Sequence, residues 1–361
     1  MRWTRRQFLE TTALASGAVL MPACTSTQTA APLQDYKAIP QRTWLIAGQS
    51  RIDLGAATGN DGYLDHVTAT PDGFTLYGTF PDDAKPVDLH SLAWIPAAEV
   101  YLQMDRLKNA VFHFSLAWVP EAQADTPAAI AKEKRVLAGD FDWLIDDLAK
   151  WCDAQQRPIL LRLGYEFNRI VQKLYTPENY APVFRRVVER FRALGVQNVS
   201  FVWASANLGF SPDKPGTDDW DFNAWYPGDQ YVDWYGFSMW FPKDWDTVML
   251  AAARKNKKPL ILAETTPSEF NVAQKKHYPF LGKTGTDLTV DELWNGWWQP
   301  MIDFVAANQD VIRAWHYIAA DWKGDPMWNQ NPYFKYCDAQ VWKEPALLAK
   351  WEAALRAKPF V

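Results

Sequence analysis

Runs of apolar residues recur along the chain at Trp44–Ala47, Thr75–Phe80, Val111–Trp118, Ile159–Leu163, Val199–Trp203, Val232–Phe237, Leu260–Ala263 and Ile312–Tyr317. Several are apolar without alternation, the pattern of parallel strands covered on both faces. Between them the spacing changes to 3.6 residues. Phe141, Leu144, Ile145, Leu148, Trp151 and Cys152 share one helical face. Thr176-Pro177 supplies a capping residue and a first-turn proline for a second helix. Its stripe is Tyr180, Phe184, Val187, Val188, Phe191 and Leu194, and Gly195 ends it. A third is predicted from Asp291 to Asn308. About eight strands with helices between them predict an α/β fold, a (β/α)8 TIM barrel with loop insertions. A doubly wound sheet is the alternative, but no glycine-rich phosphate loop follows the first strand.

The pattern begins near residue 41. Before it, Arg5-Arg6 with Phe8-Leu9 and a short apolar stretch resembles a twin-arginine export signal. Met21-Pro22-Ala23-Cys24 resembles a lipoprotein cleavage box, which would make Cys24 the lipidated first residue of a mature bacterial protein. Residues 25–40 are small, polar and proline-containing, as in a tether. The expected organisation is a signal over 1–24, a tether over 25–40 and one catalytic domain over 41–361. The product would be periplasmic or anchored to the outer membrane, touching a membrane only through the lipid. Cys152 and Cys337 are the remaining cysteines, and export leaves both a disulfide and two buried thiols open.

Composition narrows the chemistry. A net charge of −5 with no basic stripe argues against nucleic acid. Five histidines, none paired in a helical ligand motif, give no reason to expect a metal, and no cofactor is expected. The 20 tryptophans, 19 phenylalanines and 14 tyrosines among 361 residues suit a ring-filled core and also a cleft of flat apolar faces for sugars.

In a barrel, side chains at the C-terminal ends of strands face the site. Two glutamates occupy such positions. Glu166 follows the fourth strand in "LRLGYEFNRI", and Glu264 ends the seventh in "KPLILAETTP". Converging carboxylates are what glycoside hydrolysis requires: one protonates the leaving oxygen and the other attacks the anomeric carbon or activates water. Structural ion pairs, for instance Glu166 with Arg162, are the competing explanation.

"RLGYEFN" at 162–168 resembles the R-x-x-H-E-x-N signature of family 26 glycoside hydrolases, the β-mannanase family of clan A. "FVWASAN" at 201–207, "WYPGDQYVDWYGFSMW" at 225–240 and "KPLILAETTP" at 258–267 are similar to that family's strands five, six and seven. The resemblance implies a retaining double displacement with Glu166 as acid/base and Glu264 as nucleophile. It implies that Arg162 orients the strand-seven glutamate, and that Asn168 binds substrate or fixes the loop. Departures are Tyr165 for the motif histidine, Arg169 for a usual glycine, and Ser238 and Trp240 for a usual aspartate and tyrosine. Trp203, Trp240, Trp315 and Trp322, at or near strand ends, are candidate sugar platforms, with barrel packing the alternative. Asn207 is a candidate for a sugar hydroxyl, and Tyr235 and Tyr317 for the nucleophile. The expected activity is that of a monomeric endo-acting hydrolase of a β-linked polysaccharide. A glycan-binding lipoprotein without catalysis and a transglycosylase using the same pair are the alternatives.

Overall fold

The computed structural model describes residues 37, 39–55, 61–169, 172–206, 222–240, 247–279, 282, 284–326, 328–332 and 334–357. Cys24, nearly all of the tether and Asn207 lie outside them. Eight parallel strands close into a barrel, and each expected run supplies one: β1 (Trp44–Ala47), β2 (Gly73–Thr79), β3 (Val111–Ala117), β4 (Ile159–Leu163), β5 (Val199–Ser205), β6 (Trp234–Ser238), β7 (Leu260–Thr265) and β8 (Ile312–Tyr317). Strands neighbour each other in chain order, and β1 pairs with β8 to close the ring. The chain is therefore a (β/α)8 barrel.

Two of the expected helices form as Asp142–Ala154 and Pro177–Ala193. Thr176 does not cap the second. Its hydroxyl donates to buried Glu133 at 2.7 Å, tying this helix to Pro127–Ala138. The third runs from Val290 to Ala307 with a widened turn at Trp294–Trp298. Thr289 and Glu292 cap each other at its start. The loop after β7 carries three two-residue strands between Phe270 and Asp287.

Most large rings lie between strands and helices. Trp118, Trp203, Trp297, Trp298, Trp315 and Trp351 are all fully buried, so tryptophan here is chiefly core material. Inside the barrel, alternate residues point inward. The N-terminal part of that interior is apolar, with Ile46, Val111, Leu160, Val202, Trp234, Ile261 and Ala314. Further along, the interior turns polar at His113, Arg162, Ser238 and His316. Cys152 and Cys337 are both buried free thiols.

Candidate active site

Each glutamate reaches the mouth of the barrel through a local departure from regular strand. On β7, Ile261 and Ala263 belong to the inner cluster, so alternation alone would send Glu264 outward. A register shift intervenes: Phe237 pairs with Leu262, but Ser238 pairs with Glu264. A second shift occurs on the β8 side, between Trp315 and Tyr317. Bulges of this kind re-aim side chains, and here the carboxylate lands on Arg162. Glu166 lies three residues beyond β4. Gly164 at φ 58° and Glu166 at φ 52° both hold left-handed backbone. The turn is pinned where Glu166 N donates to Ala204 O at 2.9 Å. Left-handed backbone at a glutamate costs about 1–3 kcal/mol and persists only where surrounding contacts enforce it.

The two carboxylates belong to one hydrogen-bonded chain. Arg162, fully buried on β4, forms an ion pair through Nη1 with Glu264 Oε1. Its Nη2 donates to Ser238 Oγ at 3.1 Å. That hydroxyl donates to Glu166 Oε1 at 2.6 Å. One guanidinium and one hydroxyl thus span the gap between the acids. Arg162 pairs with Glu264 and not with the nearer-in-sequence Glu166. Arg169 caps the other end, with Nε at 2.7 Å and Nη2 at 2.6 Å from Glu166 Oε2. Its Nη1 straddles both oxygens of Glu121 at 2.9 Å each.

These neighbours set the charges. Burial pushes the Glu166 pKa up, but Arg169 and Arg162 with the Ser238 hydroxyl outweigh it and hold the carboxyl below its usual value. For Glu264, burial and the nearby Glu166 charge dominate. Arg162 and Tyr77 pull the other way, and the net direction is upward. The Tyr77 hydroxyl hydrogen-bonds to Glu264 from β2.

Tyr165 lays its ring over Arg162, 4.9 Å from the guanidinium carbon, and meets Tyr77 edge-on at 5.4 Å. Asn168 accepts from Ala206 N at 2.7 Å, so it fixes the β4 loop against the end of β5. Trp240 is half-buried beside Phe334, in a small cluster that also holds Trp322 and half-buried Trp328. Trp322, named above as a candidate platform, is fully buried within it and donates to Thr266 Oγ1 at 3.0 Å, so it offers no open face to a sugar.

Four further expectations are corrected. Trp203 is no platform; it stacks on Phe167 at 4.6 Å in the outer layer. Trp315 is fully buried against Trp297 and Trp351, with its indole bonded to Thr265. Tyr235 points out of the barrel, where its hydroxyl donates to Tyr226 and accepts from Asn256. Tyr317 donates to Ala339 O. The reason is common to all four. They occupy strand positions whose alternation faces the helices. Tyr77 stands where Tyr235 was expected to act; the weak apolar pattern around β2 hides it. Arg169 and Ser238 were visible only as departures from a motif. Glu121 carried no signal at all. Among the described residues no group of His, Cys, Asp and Glu is arranged to hold a metal ion, and no helix is long and apolar enough to cross a membrane.

The candidate site is thus a pair of linked carboxylates, one after strand four and one on strand seven, at one mouth of a parallel barrel. The sequence profile of glycosyl hydrolase family 26 matches residues 95–307, and the chain belongs to that family. The profile covers β3 to β7, leaving the first two strands and the last outside it. The chain is similar to a β-1,3-xylanase of Alcaligenes sp., at 31% identity over 91% of this chain and 66% of the relative. It is also similar to the β-1,3-xylanase TXYA of Vibrio sp., at 32% identity over 63% and 50%. It therefore spans half to two thirds of these relatives' lengths. Among solved structures, a family 26 β-mannanase from Bacteroides ovatus superposes with a TM-score of 0.58 at 13% identity, covering 89% of this chain and 92% of that one. A modular endo-β-1,4-mannanase from Cellulomonas fimi gives 0.56 at 17%, covering 89% and 71%.

Proposed function

We propose that this protein is a retaining, endo-acting glycoside hydrolase whose substrate is a β-1,3-xylan. The observation that carries the reaction class is the single hydrogen-bonded chain Glu264–Arg162–Ser238–Glu166 at the barrel mouth. In the first step the Glu264 carboxylate bonds to the anomeric carbon. The glycosidic C–O bond breaks, its electron pair goes to the leaving oxygen, and Glu166 gives that oxygen its proton. In the second step Glu166 takes a proton from water, the water oxygen bonds to the anomeric carbon, and Glu264 departs. Arg162 suits the nucleophile's partner because it stabilises the ionised form from a sealed position. The choice of sugar rests on the two named relatives. Half-buried Trp240 and Trp328 offer apolar faces to a pyranose ring. Export with lipidation at Cys24 belongs to the same proposal, and fractionation with labelled palmitate, comparing Cys24→Ala, tests it.

Reducing-end release should be measured on β-1,3-xylan, β-1,4-xylan, β-1,3-glucan and β-1,4-mannan. Activity is expected on the first, with initial retention of anomeric configuration. Glu166→Gln and Glu264→Gln should each lose several orders of magnitude. Azide rescue assigns the roles: Glu166→Ala should yield the β-azide and Glu264→Ala the α-azide. Full activity in both Gln variants, or release from mannan alone, would overturn the proposal.

A further inference from the structure

Both oxygens of Glu166 are occupied. Ser238 holds Oε1 at 2.6 Å, and Arg169 holds Oε2 through two nitrogens at 2.7 and 2.6 Å. A proton donor needs one oxygen protonated and directed at the leaving group. Arg169 covers the oxygen that Ser238 leaves. A guanidinium in that place also favours the ionised form, the opposite of what a donor requires.

Arg169 differs from every other charged or titratable group facing Glu166. Arg162 from β4 is fully buried between Glu264 and Ser238. Glu264 on β7 and Tyr77 on β2 are joined to each other, and Tyr165 is packed on Arg162. Arg162 has its second anion, Glu264, in the buried interior, whereas the second anion of Arg169 lies at the rim. Arg169 Nη1 bonds both oxygens of Glu121, in the loop after β3, and the Glu121 side chain is 44% exposed. The guanidinium is shared between a buried carboxylate and a rim carboxylate. It can release the first and stay paired with the second.

Resting on the reading of Glu166 as the acid, we propose that Arg169 is a substrate-operated latch. A sugar entering on the leaving-group side displaces it from Glu166 onto Glu121, and only then does Glu166 hold the proton it donates. Arg169 is a positioning residue in this scheme, and the free and glycan-bound enzymes differ in the protonation of Glu166.

The test compares kcat/KM, which reports the free enzyme, with kcat, which reports the complex. The probes are β-1,3-xylotetraose and a 2,4-dinitrophenyl β-1,3-xylobioside, whose leaving group needs no proton. With the tetraose, the wild-type alkaline limb of kcat/KM should lie below that of kcat by about one to three pH units. Arg169→Met should raise the first limb to meet the second, and should move no alkaline limb of kcat/KM with the dinitrophenyl substrate, whose cleavage step needs no proton. Glu121→Gln removes the parking place and should lower the alkaline limb of kcat. Coincident limbs in the wild type, or an Arg169→Met loss equal at every pH, would overturn the latch. Glu166→Ala separates the two ideas. If it spares kcat/KM for the dinitrophenyl substrate, whose cleavage step needs no acid, while Arg169→Met moves no limb, the acid assignment stands and only the latch fails. If it lowers kcat/KM for both substrates alike, the acid assignment itself fails.

Discussion

The Ser238 hydroxyl donates to Glu166 Oε1 at 2.6 Å from the very position that pairs with Glu264 on the neighbouring strand. One small side chain thus orients the first carboxylate and receives the guanidinium that neutralises the second. Ser238→Ala should remove a charge-assisted hydrogen bond worth about 1.5–3 kcal/mol. The expected loss in kcat is about ten- to a hundredfold. Glu166 also loses a contact that lowers its pKa, so the alkaline limb of the rate profile should move upward. Steady-state kinetics from pH 4 to 9 check both.

Arg162 makes contacts that diverge, through Nη1 to Glu264 and the Tyr77 hydroxyl and through Nη2 to Ser238. A lysine supplies one charge but no planar fork. Arg162→Lys should fold and lose at least about a hundredfold in kcat. Arg162→Met leaves Glu264 buried without its cation, a change that costs about 3–5 kcal/mol. Its melting temperature should fall clearly below that of the lysine variant, as calorimetry would report.

Gly164 tolerates no side chain. Its φ is 58°, and an added Cβ would stand 2.3 Å from the Trp118 ring. Gly164→Ala should cost more than the roughly 1–3 kcal/mol of left-handed strain, because the ring must also move. Glu166 lies two residues further along the same turn, so activity should fall with stability. A variant with wild-type melting and wild-type kcat would contradict this account of the turn.

Asp338 is buried, and its carboxyl is pushed up to about 6, by burial first and by Asp321 as well. The folded state therefore binds this proton more tightly than the unfolded chain. The resulting stability is fully present below about 4 and is lost as pH rises through about 6. Above that, the buried charge costs about 3 kcal/mol. Asp338→Asn keeps an oxygen for the Gln340 N–H, which lies 3.0 Å from Asp338 Oδ1. It should raise the melting temperature at pH 8 and bring no gain at pH 4. Buried His316, lowered to about 4 by burial, works in the opposite sense, because its contribution is lost as pH falls from about 6.5 through 4. Thermal melts of the variant and wild type at both pH values isolate the Asp338 effect.

The order of strands and the two long helices were legible because burial on both faces leaves uninterrupted apolar runs, and amphipathic helices leave a 3.6-residue stripe. The family and the two glutamates were legible because a few residues at strand ends carry them in short, ordered motifs. Which faces those residues present was not. Alternation assigns Glu264 to the wrong side of β7, and only the shifted pairing with β6 and β8 turns it inward. Trp203, Trp315 and Tyr235 sit in the right strands and face the helices. Tyr77, Ser238, Arg169 and Glu121 join the site from four separate stretches of chain, through contacts such as Ser238–Glu166, 72 residues apart, and Arg169–Glu121, 48 apart, that no local pattern encodes. The sequence by itself determined the barrel and the pair of acids, since local hydrophobic periodicity and short motifs are sufficient for both. The tertiary structure alone decided their orientation and charge, because bulges, left-handed turns and long-range ion pairs arise only once the strands are in register.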